Sequence, residues 1–272
     1  MKILVTNDDS INSPGVWALA EAMQRVGETL IVAPDKQQSG VGTSVSLYSG
    51  MSINEVSSTI QGVRAYAVGG TPSDCVIVGL RRLAQEHVDL VVSGINLGAN
   101  VGNDILYSGT VMATLQGYYR KIPSIAISLA LGERGEEPRF DVVSRVARFL
   151  ALGVKSGTIP GRAILNTNVP NIPLEQIKGI ITTRTGSSGY VALSEVQGGD
   201  TLSYSFGMRQ TDSPKYPDQL ANPTGTEEGT DIWAINSGFI SITPLSLDVT
   251  AHDLIPSLNE HVSSLESDLL NT

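Results

Sequence analysis

Four short apolar runs, at residues 3–6, 30–33, 89–93 and 124–129, constrain the fold of this chain most. A strand buried on both faces of a parallel sheet reads as a continuous hydrophobic run, because neither face meets water. The stretches between carry a helical period. Val16, Leu19, Ala20 and Met23 follow the first run, and Val76, Ile77, Leu80 and Leu83 precede the third. Ser13-Pro14 opens the first of these helices, with Ser suited to the N-cap and Pro to the first turn, and Gly27 closes it. Thr71-Pro72-Ser73 leads into the second. Residues 64–68 and 163–167 read as further strands, and 44–48 with 51–56 as a hairpin around Ser49-Gly50. A Gly/Asn-rich loop spans 94–109, with a helix behind it at 110–119. Residues 140–155 place Val143, Val146, Ala147, Leu150 and Val154 on one helical face. Strand and helix alternate to about residue 168, which predicts an α/β fold with a doubly wound, mostly parallel sheet.

The texture changes near residue 176, where short β-like runs, Gly pairs and Ser/Thr-rich stretches replace the helices. Residues 238–244 read as a strand. Residues 252–270 read as a terminal helix, with Leu254, Leu258, Val262, Leu265 and Leu269 at helical spacing. The expected organisation is a core over 1–175 and a β-rich extension with a C-terminal arm over 176–272.

Composition narrows the function. The formal net charge is −9, a poor basis for binding a nucleic-acid duplex, which requires neutralising phosphates. Cys75 is the single cysteine, expected as a buried small hydrophobe, and no internal disulfide can form. His87, His252 and His261 are the only histidines, and no pair has zincin spacing. No apolar run approaches the roughly 18 residues of a membrane span. With no leader-like start, a cytoplasmic protein is expected. The P-loop pattern, the G-x-G-x-x-G fingerprint and the G-x-S-x-G elbow are all absent, which disfavours nucleoside triphosphatases, nicotinamide enzymes and α/β-hydrolases.

Ligands of open α/β sheets bind beyond the carboxyl ends of the strands. Three polar loops fall there: Asn7-Asp8-Asp9, the loop containing Ser39-Gly40, and the 94–109 loop containing Asn96. Two adjacent carboxylates at a strand end are costly unless a cation neutralises them. Asp8 and Asp9, with oxygens from Ser39 and Asn96, form an all-oxygen set suited to Mg²⁺, Mn²⁺ or Ca²⁺. Taken alone, an Asp-Asp pair more often caps a helix or sits in solvent; its place after a buried strand, with two other polar loops in register, favours a site. Ser108, Gly109 and Thr110 enter a helix and offer N–H groups and hydroxyls to an anion.

The segments Val5-Thr6-Asn7-Asp8-Asp9, Ser13-Pro14-Gly15, Ala33-Pro34-Asp35 with Ser39-Gly40, and Gly70-Thr71-Pro72-Ser73-Asp74-Cys75 occur in order. Ser93-Gly94-Ile95-Asn96-Leu97-Gly98-Ala99-Asn100, Tyr107-Ser108-Gly109-Thr110, Asn166-Thr167-Asn168, Gly229-Thr230-Asp231 and Ser241-Ile242-Thr243-Pro244-Leu245 follow. Together they closely resemble the SurE survival-protein family of metal-dependent acid phosphatases and nucleotidases. The resemblance implies a Rossmann-like core with a swapped C-terminal arm, assembled as a homodimer or homotetramer. It implies one divalent cation per subunit on Asp8, Asp9, Ser39 and Asn96, and phosphate contacts at Asn7, Gly40, Ser108, Gly109 and Thr110. It implies hydrolysis of nucleoside monophosphates or another small phosphomonoester, with Asp8, Asp9 and Asn96 as the catalytic set. In-line attack by water and an aspartyl-phosphate route both fit such residues. A nucleotide-binding regulatory protein without turnover is the alternative. Two departures stand out: Ser10 replaces the Gly that the family has after its paired aspartates, and no Trp follows Tyr190, where the family shows Tyr-Trp.

Overall fold

The computed structural model describes residues 1–131, 136–187, 191–196, 203–208 and 227–270. In chain order the elements are β1 (Lys2–Thr6), α1 (Pro14–Gln24), β2 (Glu28–Pro34), β3 (Ile53–Val56), β4 (Arg64–Val68), α2 (Pro72–Val78), β5 (Leu90–Leu97), α3 (Gly109–Ala113), α4 (Leu115–Tyr118) and β6 (Ser124–Ala130). They continue with α5 (Phe140–Ser156), β7 (Ile164–Pro170), β8 (Ile180–Thr182), β9 (Val191–Val196), β10 (Ser203–Met208), α6 (Asp231–Asn236), β11 (Ile240–Pro244) and α7 (Ile255–Leu270).

The main sheet has nine strands in the order β3-β4-β2-β1-β5-β6-β7-β11-β8. From β4 to β7 every pairing is parallel; β3 and β11 join antiparallel to β4 and β7. The chain steps outward from β1 through β2 to β4, then restarts at β5 on the other side of β1. β1 and β5 therefore flank the point where strand order reverses, and the crevice at their carboxyl ends is where such sheets bind ligands. The sheet is α/β and doubly wound, as expected. β8 and β11, from beyond residue 175, complete the same sheet rather than a separate one.

Helices cover both faces. Residues such as Ile3, Val5, Val92 and Ile127 meet α1 and α5 on one side. Leu4, Val32 and Val91 meet α2 and its neighbours on the other. Ser13 caps α1 by accepting from the Gly15 N–H, with Pro14 in the first turn, and Thr71 with Asp74 closes a reciprocal capping box on α2. Cys75 lies fully buried in α2, where burial pushes its thiol well above the ordinary range.

Several expectations are corrected. The hairpin at 44–56 does not form: only Ile53–Val56 is a strand, and it pairs with β4. Residues 44–48 are held instead by Asp74, which accepts from the Ser46 N–H at 3.1 Å and from its hydroxyl at 2.7 Å. β5 runs on to Leu97 with a register shift between Gly94 and Asn96, and Gly102–Leu106 is a 3-10 turn, so the 94–109 stretch is not all loop. The helix expected at 110–119 is split in two at Thr114. Trp17 and Trp233 are half-buried; the Trp17 indole donates to the Ile11 carbonyl at 2.7 Å, and Trp233 stacks on Phe239. The terminal helix is present as α7, preceded by a 3-10 turn at His252–Leu254. Tyr190 lies outside the described residues.

Candidate active site

Asn7, Asp8 and Asp9 leave the end of β1, and Asn96 lies near the end of β5, its hydrogen-bonded neighbour. Two backbone bonds draw the other loops in. The Gln38 N–H donates to the Asp8 carbonyl at 2.7 Å, bringing the Ser39 loop against the aspartates. The Gly42 N–H donates to the Tyr107 carbonyl at 2.9 Å, joining that loop to the one that ends at Ser108. The three polar loops thus converge, as the sequence implied.

Asp8 is nearly fully buried. Its two oxygens accept from Thr110, one from the N–H at 3.0 Å and the other from the hydroxyl at 2.5 Å. Ser108 caps α3 by accepting from the Val111 N–H at 3.1 Å. A Cβ on Gly109 would lie 2.8 Å from the Asp8 Cβ, so only glycine lets α3 approach this closely. Burial raises the Asp8 carboxyl above its ordinary value, and the Thr110 hydrogen bonds oppose that rise. Both Thr110 donors, expected as phosphate contacts, are thus directed at Asp8.

Asp9 is held differently. Burial, and then the charge of Asp8, push its carboxyl up to about 6, while hydrogen bonds to the Leu97 backbone and Gln37 lower it. Its Oδ2 is buried without a hydrogen-bond partner, as is Oδ1 of Asn7, whose amide nitrogen donates to the Ser10 carbonyl at 2.8 Å. Asn96 donates through Nδ2 to the Gly98 carbonyl at 2.8 Å, which turns its amide oxygen to the side able to accept or ligate. Ser39 and Gly40 are exposed on their loop, where the Ser39 hydroxyl accepts from Gln37 at 3.0 Å.

These residues fit a hard divalent cation. Burial raises both carboxyls and the charge of Asp8 raises Asp9 further, among the described ion pairs no Lys or Arg neutralises either, and a buried carboxylate oxygen stands unpaired. Among the described residues no three His, Cys, Asp or Glu side chains converge on one point, so neutral oxygens of the Ser39 and Asn96 kind would have to complete the set.

Ser10 has φ of 81° and is buried, so the position does require the left-handed conformation that glycine adopts freely. Sequence reasoning missed two supporting groups. Asn100 is a hub: its N–H donates to Asn168 Oδ1, its amide to the Ser128 hydroxyl, and its carbonyl accepts from Asn166 and Asn168. Asp231 is buried and accepts from the Gly102 N–H. No local pattern marks either role, because the partners lie 28 to 129 residues away.

A family model described as "Survival protein SurE" matches residues 3–192. The 5'-nucleotidase SurE of Dehalococcoides mccartyi (strain CBDB1) is 44% identical over 246 residues, covering 90% of this chain and 88% of that protein. The 5'-nucleotidase SurE of Aeromonas hydrophila is 40% identical over 266 residues, covering 95% and 97%. The crystal structure of the SurE protein from Aquifex aeolicus superposes with a TM-score of 0.78 at 35% identity, over 96% of this chain and 99% of that one.

Proposed function

The chain belongs to the SurE survival-protein family, and from that premise we propose that it hydrolyses nucleoside monophosphates to nucleoside and phosphate. The observation that carries the reading is the pair Asp8 and Asp9 at the reversal point of the sheet, raised by burial and lacking a cationic side-chain partner among the described residues. Asp8, Asp9, Ser39 and Asn96 would hold one divalent cation, Mg²⁺ or Mn²⁺. Such an ion, when bound, neutralises charge on a phosphate oxygen and acidifies water.

The chain's own groups do the rest. Asp8 is fixed by Thr110 through both oxygens, so it is the positional reference of the site. Asp9, with Oδ2 unpaired, is the better acceptor for the proton of an attacking water. Asn96 is a neutral amide; it can ligate or orient but not take that proton. Asn7, Gly40, Ser108 and Gly109 line the loops around the aspartates and would contact the phosphate oxygens, with Thr110 supporting from behind Asp8. An acid-stable phosphoenzyme trapped from the reaction would replace the water route by an aspartyl-phosphate one.

The exposed leucines of the C-terminal arm support assembly as a homodimer or homotetramer through that arm. No helix among the described residues is long and apolar enough to cross a membrane. A cytoplasmic location belongs to the same reading.

The test is inorganic phosphate release from 5'-AMP, 5'-GMP, 3'-AMP and p-nitrophenyl phosphate, each with Mn²⁺, Mg²⁺ or EDTA. Release is expected with metal, is lost in EDTA and falls at least a hundredfold, on the order of 3 kcal/mol of transition-state stabilisation, in Asp8→Asn. Nucleotide binding without release under every metal would overturn the enzyme reading in favour of a regulatory binding protein.

A further inference from the structure

Asp231 opens α6, far along the chain from the candidate site, and is completely buried. No described ion pair includes it. Burying a carboxylate without a counter-charge is costly unless hydrogen bonds to the charged form compensate. Here three backbone amides supply them. Oδ1 accepts from the N–H of Gly186 at 2.8 Å and of Ile232 at 2.9 Å, and Oδ2 accepts from Gly102 at 2.9 Å. The carboxylate therefore joins three separate pieces of chain, one of which belongs to the site.

That piece is the 3-10 turn Gly102–Leu106. Its far end is rigidly connected to the candidate phosphate contacts: the Tyr107 and Ser108 N–H groups both donate to the Asp104 carbonyl at 3.1 Å, and Ser108 then caps α3. A second tie runs in parallel, from Asn103 Nδ2 to the Ser187 carbonyl at 2.8 Å. The turn that presents Ser108 and Gly109 is thus anchored at its start by the 184–187 and 230–232 segments, while Thr110, beyond its far end, is held by Asp8.

We propose that Asp231 is a positioning residue: through Gly102 it fixes the turn that delivers Ser108 and Gly109 to the substrate phosphate. The proposal rests on the reading of those two residues as phosphate contacts. Contacts made to the phosphate throughout the reaction contribute uniform binding, so disturbing them raises KM and leaves kcat nearly unchanged. A merely structural role would lower the folded fraction, and with it apparent kcat, without moving KM.

The experiment uses Asp231→Asn and Asn103→Ala in the full chain. An asparagine keeps Oδ1 toward the two donors Gly186 and Ile232, and its NH₂ then faces the Gly102 N–H, which loses its acceptor. KM for p-nitrophenyl phosphate should rise about tenfold in Asp231→Asn with kcat within about twofold, and by a smaller factor in Asn103→Ala. Deuterium exchange should accelerate in the peptide covering 98–108, and not in β6. Unchanged KM and unchanged exchange at 98–108, with only a lower melting temperature, would overturn the proposal. Should Asp231→Asn fail to fold, the exposed Asn103→Ala decides by the same two readouts. Should the wild-type protein release no phosphate, the phosphatase reading falls, while the exchange data still decide whether Asp231 holds the turn.

Discussion

Asp8 and Asp9 are adjacent in the chain yet hold opposite stations, one clamped by Thr110 and the other with an oxygen unpaired. The clamp yields a prediction. Thr110→Val removes the hydroxyl donor and should lower kcat/KM for phosphate release by about ten- to a hundredfold, as loss of an outer-shell partner usually does. Thr110→Ser keeps the donor and should retain most of the activity; equal losses in the two variants would refute the clamp. Ser10 gives a second prediction, on stability. A non-glycine side chain at positive φ costs on the order of 1 kcal/mol, partly offset by the freedom glycine gains when unfolded. Ser10→Gly should therefore raise the thermal midpoint by only about 1–2 °C, read by calorimetry; a fall would show that the Ser10 hydroxyl matters more than its backbone. At this scale the placement of the paired aspartates just past β1, of Asn96 near the end of β5 and of Ser39 on the loop after β2 was legible, because the strands before them are recognisable. The Thr110–Asp8 pairing was not, since 102 residues separate the partners.

At the scale of elements, the apolar runs and the capping residues Ser13 and Thr71 located the strands and helices of the parallel core well. Hairpin reasoning failed at 44–56 because β3 is an edge strand whose partner, β4, lies on its far side in sequence. Its residues gain their order from a neighbour that no local pattern specifies. Similarly, the helix at 110–119 breaks at Thr114, whose N–H and hydroxyl both donate to the Val111 carbonyl, and the break leaves no mark in the periodicity. One contact between elements lends itself to a direct check. A Cβ on Gly15 would lie 2.2 Å from the Ile95 carbonyl oxygen, so α1 rests directly on β5 beside Asn96. Gly15→Ala should cost about 1–3 kcal/mol in urea unfolding and also reduce phosphatase activity, because β5 must shift. Gly161→Ala, where nothing lies within 4 Å, is the matched control and should be neutral on both measures.

For the whole molecule, order in the sheet and exposure in the arm point to different sources of stability. The sheet buries its core within one chain, whereas Leu254, Leu258, Val262 and Leu265 on the arm are each at least 41% exposed. A chain ending after Leu254 should keep the circular dichroism of the sheet and elute as a monomer in light-scattering chromatography, where the full chain is larger. A full-length monomer would remove the arm's proposed role. The family relationship was legible across nearly the whole length, because ordered motifs survive where single contacts do not announce themselves. Cys75 has a practical consequence of its own. It is the one thiol, sealed under α2, so an alkylating reagent can reach it only in molecules whose α2 layer has lifted from the sheet. When closing outpaces alkylation, the reaction rate equals that of a free thiol scaled by the opening equilibrium. The protein thus carries an internal gauge, readable by mass alone, of the fraction of molecules in which the layer behind its candidate site stands open.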